Sequence, residues 1–238
     1  MGRLEPASTT KLLTALFALS IVRDTSMTIT ASDELELVAE DASRAYILEG
    51  QTLTVEMLIE AMLLPSGNDA AYVLAAGVGR LIADEPEMFG KDDVLLFMQG
   101  VNDYGKSIGL QSTNFTVPDG YTEKNHYTCL QDMMVIAIHA AENEVILKYA
   151  GTVRDEVTYA SGEENVWTNG NNLINPESPY YFPYAKGLKT GTTNAAGYCL
   201  VALAEKDGRR IVAGTFAART NAIRYDDMLT LLTYGLAH

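Results

Sequence analysis

A chain of 238 residues is long enough to bury a sizeable core and suits one or two domains. Its formal net charge of −14, with 17 Lys and Arg against 31 Asp and Glu, argues against nucleic acid as a partner and against a basic membrane-facing patch. The predicted elements follow in chain order. Residues 8–23 read as a buried helix, apolar at Leu12, Leu13, Leu16, Phe17 and Leu19. The apolar run Leu12–Val22 has no basic leader and no cleavage-site pattern, so it reads as a core helix and not a signal peptide. No stretch of about 18 apolar residues is present, so no spanning helix is expected. Residues 24–53 are mixed, with short strand or loop character. Thr54 caps a helix that runs to Leu64 and is broken by Pro65-Ser66-Gly67. Further helices are expected over Asp69–Ala83 and over Lys91–Ile108, the latter stopped by Gly109.

Pro118-Asp119-Gly120 is a turn. Thr128, with Gln131 three residues on, forms a capping box for a helix ending near Asn143. Residues 152–168 alternate as a hairpin about Ser161-Gly162. Lys186–Thr192, Gly197–Lys206 and Arg209–Ala218 read as strands, the last two joined by the hairpin signal Asp207-Gly208, and Asn221–Leu236 closes the chain as an amphipathic helix. Helices followed by an antiparallel meander give an α+β architecture, not a parallel sheet. A single domain over residues 1–238 is expected, with a mainly helical lobe at about 24–150 and a strand-and-helix part at about 186–236. Cys129 and Cys199 make no disulfide framework or metal spacing and are expected as two separate buried thiols.

Three short motifs occur in order. In Ser8-Thr9-Thr10-Lys11, Ser8 is the only one of ten serines with a lysine three residues later. Residues three apart share a helix face, so the Lys11 amine reaches the Ser8 hydroxyl. Serine becomes a nucleophile once a base takes its proton, and burial beside Lys189 would lower the Lys11 pKa enough for that task. Ser8 at a helix N-terminus also gains from the free N–H groups there. In Ser66-Gly67-Asn68, Ser66 offers a proton for a leaving amine and Asn68 a donor and acceptor for a substrate amide. In Lys189-Thr190-Gly191, followed by Thr192, a side-chain-free Gly191 lets a ligand backbone lie along an edge strand, while Lys189 and the two threonines meet a carboxylate. Each alone has an ordinary structural explanation: a serine cap with a solvated lysine, a helix–helix turn, a strand with one glycine.

Together in this order they are the set found in penicillin-binding proteins and class A β-lactamases. The longer runs PASTTKLLTALFAL, LTVEMLIEAMLLPSGNDAAYVLA, GLQSTNFTVPDG and KGLKTGTTNAAGYCLVALAEKDGRRIVAG extend the match from residue 6 to 236. The sequence resembles the penicillin-binding D-alanyl-D-alanine carboxypeptidases of low molecular mass. The resemblance implies a β-lactamase/transpeptidase-like fold: an antiparallel sheet flanked by helices beside a mainly helical lobe. It implies Ser8 as nucleophile, Lys11 as general base, and Ser66 and Asn68 in proton transfer and substrate placement. Lys189, Thr190 and Thr192 would bind the terminal carboxylate beside Gly191, and the N–H groups of Ser8 and Thr192 would form the oxyanion hole. The implied partners are a peptidoglycan stem peptide and β-lactam inhibitors, with no cofactor and no metal, at an extracytoplasmic location in the parent protein.

Members of that family usually carry a signal peptide and two strands ahead of the nucleophile helix, and often a β-rich domain and membrane anchor behind. Those N-terminal strands and any membrane tether are expected to be missing from this chain, so the Arg209–Ala218 strand is expected to pair with another chain, such as a second copy, or to leave the domain poorly soluble. A class A β-lactamase would need Glu-x-x-Leu-Asn for its deacylating water, and Glu85-Pro86-Glu87-Met88 is followed by Phe89 where Asn is required. A non-catalytic module that has kept the motifs is the other alternative. A histidine-triad hydrolase has no Gly-x-Ser-x-Gly elbow here, and a zinc peptidase no His-Glu-x-x-His. His126 and His139 are expected on the surface or a helix face.

Overall fold

The computed structural model describes residues 2–83 and 90–238. Residues Glu85 to Phe89 therefore lie outside the described residues. A 3-10 turn over Ala7–Thr10 feeds α1 (Lys11–Ile21), followed by β1 (Thr28–Thr30), a 3-10 turn over Asp33–Leu37, β2 (Thr52–Thr54), α2 (Val55–Leu63), α3 (Asn68–Ile82), α4 (Gly90–Ser107), α5 (Leu130–Glu142) and α6 (Glu144–Ala150). Then come β3 (Arg154–Thr158), β4 (Glu164–Thr168), β5 (Ala185–Thr193), β6 (Gly197–Lys206), β7 (Arg209–Ala218) and α7 (Asn221–Ala237). The α+β expectation holds. β5, β6 and β7 form an antiparallel sheet in that order, and β1–β2 and β3–β4 are two-stranded antiparallel ribbons.

The apolar patterns explain the layering. β6 is buried from Cys199 to Ala204 because both its faces are covered. Val201 and Leu203 join the main core, while Leu200, Ala202 and Ala204 pack with Tyr225, Met228 and Leu232 of α7. Helix α1 is buried without interruption from Lys11 to Ala18, as a helix in the middle of a core must be. Helix α3 is likewise buried from Asn68 to Ala76.

Most element ends follow local chemistry. Thr54 Oγ1 accepts from the Met57 N–H at 3.1 Å, the expected cap. The hairpin about Gly162 (φ +100°) and the Asp207-Gly208 turn (φ +50° and +77°) form as read. The Thr128 capping box does not. Helix α5 begins at Leu130, and the Thr128 hydroxyl instead meets the Thr113 hydroxyl at 2.8 Å. Helix α6 is a further addition, capped where Asn143 Oδ1 accepts from the Ile146 N–H at 3.1 Å.

Two interactions set the walls of the site. Asp69, at the start of α3, accepts from the Ala45 N–H at 2.8 Å and the Ile47 N–H at 3.0 Å, and the Asn68 N–H donates to Ser43 O at 2.8 Å. On its other side, Ala45 O accepts from Asn165 Nδ2 at 2.9 Å and from the Trp167 indole at 3.3 Å. The 43–47 segment is thereby fixed between α3 and β4. Opposite, the Pro118–Gly120 turn lies so close to the 3-10 turn that a Cβ on Gly120 would sit 1.9 Å from Ala7 O.

Candidate active site

Ser8 lies in the 3-10 turn and Lys11 is the first residue of α1. In a 3-10 turn residues i and i+3 eclipse each other, which is the geometry this pair needs. Lys11 Nζ donates to Ser8 Oγ at 3.0 Å, to Asn68 Oδ1 at 2.8 Å and to the main-chain oxygen of Asp119 at 2.8 Å. Those three acceptors match the three hydrogens of an ammonium group. Lys11 is fully buried, and burial brings its pKa down to about 8, against the upward pull of Asp119 and Asp69. Burial, not the charge of Lys189, is thus the main cause. The buried ammonium costs folding about 3 kcal/mol below pH 8; the cost fades as pH rises from about 8 towards 10.5, where the unfolded chain still holds the proton.

Lys189, on β5, is also buried and donates to Thr190 O at 3.2 Å. Its pKa is driven well below the ordinary lysine value by burial, then by the charges of Lys11 and Arg224. Asn68 Nδ2 donates to Asp119 Oδ2 at 2.6 Å, joining the second motif to the Pro118–Gly120 turn.

Ser8, Ser66, Thr190, Gly191, Thr192 and Arg224 share one open cleft of about 250 Å³. Lys11, Asn68 and Lys189 are buried and lie outside that lining. Ser66 (φ +62°) and Ala7 (φ +49°) both adopt the left-handed conformation, which costs a residue with a Cβ about 1–3 kcal/mol and is concentrated at functional sites. Gly191 is needed for a reason the sequence did not give. A Cβ there would stand 2.9 Å from the Ser8 amide nitrogen and 3.0 Å from Ala7 Cβ, so the missing side chain admits the 3-10 turn that carries Ser8 against β5.

Two functional candidates were not singled out from sequence. Asp119 was read only as a turn residue. Arg224 stands on the same buried face of α7 as Tyr225, Met228 and Leu232; a cation on an apolar stripe is the signal that could have marked it. Its Nη1 reaches Gly191 O and Thr192 Oγ1 at 3.4 Å and Cys199 O at 3.2 Å, bringing a permanent charge to the Thr192 end of the cleft. Its Nε has no hydrogen-bond partner among the described residues. The expected surface position of His126 is corrected. It is buried, stacked on Phe115 with ring centroids 4.8 Å apart, and accepts from the Thr116 N–H at 3.1 Å, so its other nitrogen donates to Thr10 Oγ1 at 3.0 Å. Burial takes its pKa down to about 3, leaving it uncharged. Cys129 and Cys199 are free, buried thiols. Among the described residues no group of three or more His, Cys, Asp or Glu could hold a metal ion.

Residues 2–220 match the family model described as D-alanyl-D-alanine carboxypeptidase. The chain belongs to this family. D-alanyl-D-alanine carboxypeptidase DacF of Bacillus subtilis (strain 168) is 30% identical over 239 residues, covering 99% of this chain and 57% of the relative. The D-alanyl-D-alanine carboxypeptidase of Streptomyces sp. (strain K15) is 29% identical over 245 residues, with 99% and 80% covered. The chain thus spans little more than half the length of some carboxypeptidase relatives and most of others. The crystal structure of the Streptomyces K15 DD-transpeptidase superposes with a TM-score of 0.87 at 27% identity, covering 99% of this chain and 89% of that one. The crystal structure of a D-alanyl-D-alanine carboxypeptidase from Mycobacterium tuberculosis H37Rv gives 0.82 at 26%, covering 100% and 83%. The family's fold is therefore this chain's fold, an antiparallel sheet with flanking helices.

Proposed function

We propose that the chain is the catalytic domain of a serine-type D-Ala-D-Ala carboxypeptidase acting on peptidoglycan stem peptides and acylated by β-lactams. The observation that carries the reading is the 3.0 Å bond from a fully buried Lys11 amine to the Ser8 hydroxyl, at a cleft walled by Ser66 and the Thr190–Thr192 strand. In this reading neutral Lys11 takes the Ser8 proton as Oγ attacks the carbonyl of the terminal D-Ala-D-Ala bond. The N–H groups of Ser8 and Thr192 hold the oxyanion. Ser66 relays a proton to the departing amine, and Asn68 fixes the substrate amide and Lys11 together. Thr190 and Thr192 receive the terminal carboxylate beside Lys189 and in the positive field of Arg224. Water then cleaves the acyl-enzyme ester, returning the Ser8 hydroxyl and releasing the shortened peptide. The parent protein would work outside the cytoplasmic membrane.

The direct test is release of D-alanine from a D-Ala-D-Ala peptide, together with a mass shift on incubation with penicillin. Folded protein that neither releases D-alanine nor gains mass would leave only the non-catalytic module. The pH profile tests Lys11 separately. Acylation should rise about tenfold per pH unit up to about 8 and level off above it, because Lys11 must be neutral to accept the proton. A profile with no ionisation below about 9 contradicts that role.

The free edge of β7 is proposed to pair with a second copy. Ten residues long, β7 pairs with β6 alone among the described residues. The helices packed on its two faces expose Ile138 of α5 and Leu231 and Tyr234 of α7. Such an edge is a template for another strand. Size-exclusion chromatography at micromolar concentration should give a dimer, and a well-behaved monomer there would count against the pairing.

A further inference from the structure

Asp119 does more than end a turn. It is 1% exposed, and each of its three oxygens has a different task. The main-chain oxygen accepts from Lys11 Nζ at 2.8 Å, Oδ1 accepts from the Tyr121 N–H at 3.0 Å, and Oδ2 accepts from Asn68 Nδ2 at 2.6 Å. Burial raises the Asp119 pKa above the usual carboxylate value, against the downward pull of the Lys11 charge and of the Tyr121 and Asn68 donors; in its ionised form the carboxylate has acceptors only. It can therefore bond Asn68 only through the amide NH2, which turns the amide oxygen towards Lys11, where it accepts at 2.8 Å. An asparagine at position 119 could satisfy Tyr121 equally well but would impose no direction on Asn68. The carboxylate also places a negative charge one residue beyond the Lys11 ammonium, inside a site where charges are weakly screened.

We propose that Asp119 is a positioning residue for the reaction: its carboxylate orients the Asn68 amide, and its charge keeps the proton on Lys11 in the resting enzyme so that the freed amine is a strong enough base. This rests on the carboxypeptidase reading and deepens it. Burial alone would take the Lys11 pKa lower, and a weaker base accepts the Ser8 proton less readily. The other titratable groups around this centre are Asp69 at the start of α3, which also raises the Lys11 pKa, Lys189 on β5, Tyr72 on α3, whose pKa is raised by burial first and then by the charges of Asp119 and Glu123, and the uncharged His126 behind Thr10. Both oxygens of Asp69 are committed to the Ala45 and Ile47 amides, so only Asp119 links charge to the orientation of Asn68.

The experiment is the pH profile of acylation by a fluorescent penicillin for wild type and Asp119→Asn. Removing the charge should shift the Lys11 limb down by about one pH unit or more and lower the plateau rate about tenfold or more. A lower rate with an unmoved limb overturns the proposal, since a merely structural Asp119 would behave so. If Asp119→Asn does not fold, Asp119→Glu decides: the limb should stay within about 0.3 unit while the plateau falls, because charge is kept and register lost. A wild-type plateau in Asp119→Glu overturns the positioning role. Wild-type protein left unlabelled on Ser8 would sink the carboxypeptidase reading and this proposal with it; a labelled wild type with an unmoved limb would sink this proposal alone.

Discussion

Replacing Ser8 with alanine is expected to abolish acylation, with a fall on the order of 10⁶ in the rate of D-alanine release, the scale seen when a serine nucleophile is removed. The fold should survive. Lys11 keeps two of its three acceptors, Asn68 Oδ1 and Asp119 O, so the stability loss should be limited to that of one buried hydrogen bond, about 1–3 kcal/mol. That combination makes the measurement clean: intact mass after penicillin treatment, beside a denaturation curve, separates lost chemistry from lost structure. Wild-type acylation in Ser8→Ala would put the nucleophile elsewhere, and with it the whole assignment of the cleft.

Gly120→Ala should be among the most damaging glycine-to-alanine changes. Gly120 has φ +80°, and a Cβ there would sit 1.9 Å from Ala7 O, 2.5 Å from Ala7 C and 2.7 Å from Thr10 Oγ1. The left-handed conformation alone costs about 1–2 kcal/mol. The overlap forces the Pro118–Gly120 turn and the 3-10 turn of Ala7–Thr10 apart, and with it the expected loss is about 3 kcal/mol or more. The same displacement separates Asp119 from Lys11, so acylation should fall with stability. Gly50→Ala is the control: φ is +84° but nothing lies within 4 Å of its added methyl, so only the conformational cost should appear. Equal losses in the two variants, read from urea unfolding, would show that the close approach to Ala7 carries no weight.

The features legible in the sequence were those decided within a few residues. Thr54 as a cap, the two glycine turns and the three C-terminal strands depend on local propensity and period, and the structure has them. Ser8 and Lys11 could be paired on spacing alone, because one helical turn brings them together. What stayed hidden was decided by groups far along the chain. The Thr128 hydroxyl had a rival partner in Thr113, which no local rule weighs. Asp119 looked like a turn former because its partners, Lys11 and Asn68, are 108 and 51 residues away. His126 was read as exposed because its apolar cover, Phe115, comes from another segment. Gly191 was marked as a place where a ligand backbone could lie along the strand, whereas the neighbour that its missing side chain makes room for is the backbone of Ser8.

The anchoring of the 43–47 segment has a practical consequence. Trp167, which hangs from Ala45 O and is 2% exposed, is the only tryptophan in the chain. All indole emission therefore originates at the strut behind one wall of the cleft. The protein carries its own spectroscopic gauge of that wall, readable without a dye and without a second indole to confuse the signal.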